Sequence, residues 1–368
     1  MRFLWLASLL VPACALAQTG ARAERPAAPG WPRTGAVAYP SFAGEVRLAN
    51  VRKLTHGGQN AEAYFSADGR RLVFQSTPGD GACDQIFVMD VDGANLSRVS
   101  TGEGRTTCGY FFPAGDRVLY SSMHHLSPAC PAPPDRSRGY VWPLHPYDIF
   151  VAGPDGTGTR RLTDAPGYDA EATFSPDGTR IVFTSTRDGD VELYTMDAGG
   201  GDVRRLTYEE GYDGGAFFSP DGSRIVYRAW HPADGVELED YRALLADGLV
   251  RPGRMELWIM DADGGNRRQV TASGGASFAP FFHPDGRRIV FASNLHDPRG
   301  RDFDLYMVAI DGTGLERITR HGEFDGFPMF SPDGRQLVWA SNRGGSVTGE
   351  TNVFIADWVE SPAPPARP

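Results

Sequence analysis

Phe174-Ser175-Pro176-Asp177-Gly178, followed at once by Thr179-Arg180-Ile181-Val182-Phe183, is the stretch that decides the architecture. Pro presets φ for a turn, Gly accepts a positive φ, and the run behind them is rich in β-branched and aromatic residues. The string therefore reads as a tight turn between two strands. It recurs as FSADG at Phe65–Gly69, FFPAG at Phe111–Gly115, FSPDG at Phe218–Gly222, FHPDG at Phe282–Gly286 and FSPDG at Phe330–Gly334. The successive glycines stand 46, 63, 44, 64 and 48 residues apart. A strand-like run follows each string: RRLVF, DRVLY, TRIVF, SRIVY, RRIVF and RQLVW. A second apolar run comes later in each unit, as in ELYTMDAGG from Glu192 and ELWIMDADGG from Glu256. Units then end on an apolar residue and Thr or Ser, as in Val99-Ser100, Leu162-Thr163, Leu206-Thr207, Val270-Thr271 and Ile318-Thr319.

Each unit thus supplies four antiparallel strands, A to D. Such a unit cannot bury both faces alone and must stack on its neighbours. Six units of this length predict an all-β, six-bladed β-propeller. The sixth unit has a C strand, Asn352–Val359, and no D strand after it. The unmatched stretch Leu48–Thr55 can fill that place, so the N-terminal strand closes the last blade and removes a free sheet edge.

Composition agrees. Gly (45) and Pro (28) together exclude a helical bundle, whose interiors they destabilise. With 36 basic and 46 acidic side chains the net charge is −10, which argues against nucleic acid as a partner. Arg2, the apolar stretch Phe3–Val11 and the Ala15-Leu16-Ala17 pattern read as a signal peptide over residues 1–17. Pro12 and Ala13 stand where a lipid-anchoring motif around Cys14 has small residues, which argues against that anchor. Residues 18–45 read as a Pro/Ala/Gly-rich leader, 46–360 as the propeller and 361–368 as a tail. A periplasmic or secreted monomer without a transmembrane segment is expected.

The repeats resemble those of TolB-type propellers, and are similar to the propellers that precede the catalytic domain in dipeptidyl peptidase IV-type peptidases. The resemblance covers about residues 45–360 and implies the fold. TolB-type chains carry an α/β domain ahead of the propeller, where this sequence has a short leader. The peptidases carry a hydrolase domain, for which this sequence has no segment.

Topology places the A–B and C–D turns at one end of each blade and the B–C loops at the other. All long insertions are B–C loops: Met123–Tyr147, Trp230–Arg254, Asn294–Asp302 and Asn342–Thr351. Within the second, Gly235–Asp247 reads as a helix capped by Asp234 and ended by Gly248, with Leu238, Tyr241 and Leu245 packing on the propeller. Five residues before each repeat Phe stand Asn60, Thr106, Asp169, Asp213, Ser277 and Asp325; three before it stand Glu62, Cys108, Glu171, Gly215, Ala279 and Phe327. After strand B come Pro78, His124, Arg187, His231, Leu295 and Arg343. These groups predict a polar ring at the channel mouth. Its charges either pair and hold the blades together or bind a charged ligand or metal.

The chemistry motifs are sparse. His124, His231 and His296 occupy comparable loop positions and are weak metal candidates, but no H-E-x-x-H spacing exists. The D-x-D-G strings at Asp90 and Asp261 sit at hairpin turns and lack the Glu of a Ca²⁺ loop. Gly275-Ala276-Ser277-Phe278-Ala279 lacks the last Gly of a nucleophile elbow. Export makes a disulfide among Cys83, Cys108 and Cys130 plausible, and Cys108, between the two loops, is the favoured partner. Tyr140, Trp142, Tyr147, Trp230, Tyr241, Tyr168, Tyr212 and Phe324 make the insertion face aromatic. The sequence therefore predicts a non-catalytic envelope binding or scaffold protein. An envelope protein, peptide or polysaccharide would bind on that face, with no cofactor other than a possible metal ion. The alternatives are a metal-assisted polysaccharide lyase or hydrolase, and an accessory subunit of a peptidase.

Overall fold

The computed structural model describes residues 31–360 apart from 78, 80, 81, 134, 298 and 299. The signal peptide, Cys14, Pro78 and the tail lie outside the described residues. Six four-stranded antiparallel blades form the ring. Strand A of the blades runs Gln59–Phe65, Thr106–Phe111, Asp169–Phe174, Tyr212–Phe218, Ser277–Phe282 and Asp325–Phe330. Leu48–His56 pairs with Asn352–Trp358 as strand D of blade six, the closure that the repeat count requires. Within the stretch read as leader, Arg33–Ala38 forms a fifth strand on Leu48–His56, and Glu45 is buried.

Two repeated devices explain the sequence signature. In the A–B turn, the Ser hydroxyl donates to the Asp two residues on, as Ser175 does to Asp177 at 2.6 Å, and accepts from the backbone N–H of Arg180 at 2.9 Å. At the far end of each blade, the closing Thr or Ser accepts from the backbone N–H of the second residue of strand C. Leu193 N to Thr207 at 2.8 Å and Leu305 N to Thr319 at 2.8 Å are examples. The same hydroxyl donates to the side chain that opens strand C, as Thr271 does to Glu256 at 2.6 Å. This locks strand D to strand C, which is why a short D strand suffices.

Every A strand carries a β-bulge. In blade three the register shifts between Ala170 and Thr173, and the other five A strands shift at the equivalent point. The residue three before the repeat Phe has positive φ in all six blades: Glu62 (52°), Cys108 (55°), Glu171 (56°), Gly215 (61°), Ala279 (47°) and Phe327 (54°). Two residues here oppose one on strand B, so the face alternation slips.

Candidate functional site: a blind aromatic cup

The bulges decide which ring faces the axis. Glu62, Cys108, Glu171, Gly215, Ala279 and Phe327 all line a central cavity of about 850 Å³. The residues two positions earlier do not. Asn60, Asp169, Asp213 and Asp325 are at most 1% exposed and turned into their own blades. The expectation of one polar ring built from both positions thus divides in two, because the bulge reverses the parity between them.

In blades three, four and six the buried carboxylate pairs with the residue after strand B. Arg187 donates to both oxygens of Asp169 at 3.1 and 3.0 Å, and His231 Nε2 lies 3.2 Å from Asp213. Arg343 reaches Asp325 at 2.7 Å and also holds Glu45 at 3.0 and 3.1 Å. Asn60 accepts from Ser76 at 2.8 Å, and His124 Nδ1 sits 2.8 Å from Ser122. Apart from the bond to Glu45, which lies ahead of the closing strand, these contacts fall within one blade and give buried polar groups partners. Burial lowers the His231 pKa, but Asp213 more than offsets it and the net shift is upward.

Below the bulge ring the channel is shut. Tyr64 of blade one meets Phe217 of blade four, directly across the axis, with ring centroids 5.5 Å apart. Tyr110 lies 5.8 Å from each, and Phe281 5.4 Å from Phe217. Edge-to-face packing of these four rings closes the floor. Above the bulge ring, Arg105, Tyr168, Tyr212 and Phe324 form the next layer. Over them, the blade-two and blade-four insertions pair with each other: Trp142 with Val250 and Pro143 with Leu249. Leu144 N donates to Gly248 O at 2.7 Å, and Trp142 reaches Phe278 of blade five at 5.3 Å. The helix Val236–Ala246 braces this canopy through buried Tyr241. Its N-cap is Gly235, with no side-chain cap, rather than the expected Asp234. Gly248 ends it at φ 67°.

At the heart of the cup lies a residue the sequence reading passed over. Arg228, on strand B of blade four, crosses to Glu171 of blade three and donates to Tyr212 Oη at 2.7 Å. Burial alone would lower its pKa, but Glu171 and Tyr212 more than offset that and hold the guanidinium charged. Glu171 also accepts from Thr184 at 2.8 Å and from Gly215 N at 2.9 Å. Gly215 makes this possible, since a Cβ there would overlap the Arg228 guanidinium. Glu62 differs. Burial, then the charge of Glu171, pushes its pKa up to about 7, and Cys108 is its hydrogen-bonding neighbour. One signal marked Arg228: the equivalent positions on the other B strands hold Gln75, Ser121, Thr184, Ala292 and Ala340, none of them charged.

The disulfide joins Cys83 to Cys130, with Cα atoms 5.4 Å apart, and ties the blade-one loop to the blade-two insertion. Cys108, the favoured partner by sequence, is free, because its bulge turns it into the cup. His296 groups with Asp302 and Asp304, their ligand atoms within 4.8 Å. Asp304, however, is held by Arg317 and accepts from Thr319 at 3.1 Å. Asp148 repeats that arrangement with His125 (2.6 Å), Arg161 (2.5 Å) and Thr163 (3.3 Å), so this is the strand C–D lock carrying an added His. Among the described residues, neither His124 nor His231 belongs to a group of three possible ligands.

Comparisons with known proteins agree with this architecture. A family model for the TolB β-propeller domain matches residues 245–355, and one for the Tricorn protease N-terminal β-propeller domain matches 144–252. The chain is a six-bladed β-propeller similar to those of TolB. Its TolB-like relatives include a protein TolB homolog of Chlorobium luteolum, 27% identical over 36% of this chain and 37% of that one. The Tol-Pal system protein TolB of Bordetella pertussis is 28% identical over 38% of this chain and 35% of its own length. The match therefore spans little more than a third of these relatives. Among solved structures, TolB from Acinetobacter baumannii superposes with TM-score 0.54 at 19% identity, over 83% of this TolB-like propeller and 64% of that chain. An oligogalacturonate lyase in complex with manganese gives 0.52 at 16%, over 90% and 98%. At such identities these likenesses speak for the fold alone.

Proposed function

We propose that this protein is an exported, non-catalytic binding protein of the cell envelope that receives part of its partner in the cup. The observation that carries this reading is the cup itself: a cavity closed below by the Tyr64–Phe217 plug and roofed by paired insertions. Such a site is concave, apolar and preformed, with a few fixed polar groups at its centre, as ligand sites usually are. The TolB relatives support an envelope role, and the signal-like N-terminus supports export. No helix among the described residues is long and apolar enough to cross a membrane.

A photo-crosslinking residue in place of Tyr140, at the cup mouth, tests the proposal in cells. The expected result is one adduct that disappears when Ala279→Trp fills the cup. An adduct that persists with the cup filled overturns it.

A further inference from the structure

Among the described residues, the carboxylates lining the cup have cationic partners with one exception. Its carboxylates are Glu62, Asp84 and Glu171. Asp84 pairs with Arg105 at 3.3 Å, and Glu171 pairs with Arg228. Arg254 is held by Glu237 at 2.7 Å, and Arg301 stacks over Tyr140 at 5.9 Å. Among the described residues, no Arg, Lys or His forms an ion pair with Glu62. That carboxyl group is fixed by a bulge and half-buried, and Tyr64 and Tyr147 are close enough to feel its charge. Tyr64 stands below it, while Tyr168 and Tyr212 form part of the layer above. An anion would find Arg105, Arg228 and Arg254 already paired with carboxylates, and only Arg301, exposed and over Tyr140, without one among the described residues. A cation would find an unpaired carboxylate and aromatic faces, the two groups that attract it most strongly once water is excluded.

We infer that the cup takes an organic ammonium group, which pairs with Glu62 while the apolar body attached to it lies against the aromatic walls. This rests on the reading of the cup as the binding site and names the chemistry it selects. The groups that face Glu62 are Cys108 of blade two, Glu171 of blade three, Arg228 of blade four, Asp84, Tyr64 and Tyr147. None of these can neutralise it: Arg228 is committed to Glu171, and the others are acidic or neutral. The bound ammonium requires the ionised form, so affinity should rise with pH through about 7.

Calorimetry on the full chain with three probes of one shape tests the inference: phenethylammonium, neutral 2-phenylethanol and anionic 3-phenylpropionate. Expected at pH 8 is binding of the ammonium about tenfold tighter than of the alcohol, with the carboxylate weakest. Glu62→Gln should remove that preference. At pH 6 the preference should shrink in the wild type. Equal affinity for amine and alcohol overturns the ammonium assignment and leaves the cup a binding site. Tightest binding of the carboxylate overturns it in favour of an anion. No binding of any probe also overturns it, while the cup reading still stands or falls on its own crosslinking test. The wild-type comparison needs no variant, so a folding defect in Glu62→Gln cannot shield the inference.

Discussion

At the residue scale, two carboxylates show how position sets chemistry. Glu171 and Glu62 occupy the same bulge position two blades apart. Glu171 is surrounded by donors, whereas Glu62 has none with a positive charge to spare. The consequence for stability has a definite sign. The folded-state pKa of Glu62 lies above the unfolded value, at about 7 against 4.5. Folding therefore favours its neutral form, and the cost of its charge appears as pH rises from about 4.5 to about 7. Glu62→Gln should be neutral in urea melts at pH 4.5 and stabilising by roughly 1–3 kcal/mol at pH 8. Equal stabilisation at both pH values would show that burial, not charge, governs this site. Gly215→Ala should act in the opposite direction at every pH. It places a Cβ on the Arg228 guanidinium at φ 61°. Displacing Arg228 leaves Glu171 without its cation, so a loss of about 2–4 kcal/mol is expected in the same melts.

At the element scale, the legible and the illegible parts of the sequence separate by what encodes them. Turns, strand order, the long insertions and the closing strand were all readable, because each has a side-chain signature: Pro-Asp-Gly, the apolar run, and the terminal Thr or Ser with its two hydrogen bonds. The bulge in strand A has none. It is a backbone conformation, occupied here by Glu, Cys, Glu, Gly, Ala and Phe, and only Gly215 hints at a positive φ. Simple alternation therefore put Asp169 and Glu171 on one face, whereas the extra residue sends one into the blade and the other into the cup. The canopy was hidden for a related reason. Pairing of Trp142–Pro143 with Leu249–Val250 is too short to leave a periodic pattern. The disulfide beside it makes this element testable. Cys83–Cys130 closes a loop with a sequence separation of 47 residues. The chain-entropy term for that length is at most about 4 kcal/mol. Reduction, or Cys83→Ser with Cys130→Ser, should lower the melting temperature by several degrees. Trp142 fluorescence, read in a variant whose other Trp residues are Phe, should become more exposed while the blades keep their strand signal. An unchanged melting temperature would show that the loops are held by their packing alone.

At the scale of the whole molecule, the ring stands or falls on a strand from the opposite end of the chain. Leu48, Val51 and Leu54 of the closing strand are 5%, 2% and 0% exposed, and they pack into clusters shared with blades one, five and six. Removing each such side chain costs about 2–4 kcal/mol by analogy with large-to-small changes in cores. Together they approach the full stability of a typical domain, about 5–15 kcal/mol. The outer strand Arg33–Ala38 is different, since it is largely exposed and contributes one edge ladder. The lost Leu48–His56 ladder would also bare strand Asn352–Trp358 as an open edge, available for pairing with another chain. Two truncations separate these contributions. A chain starting at residue 40 keeps Glu45 on Arg343 and the whole closing strand; it should melt cooperatively, a few degrees below the full chain. A chain starting at residue 58 should lose cooperative melting and near-ultraviolet dichroism, and sediment as aggregates. Supplying residues 40–57 as a separate peptide should restore part of the transition, because the strand closes the blade by side-chain burial and hydrogen bonding, not by covalent continuity. Cooperative melting of the chain from residue 58 without the peptide would mean that five complete blades and three strands close the ring unaided.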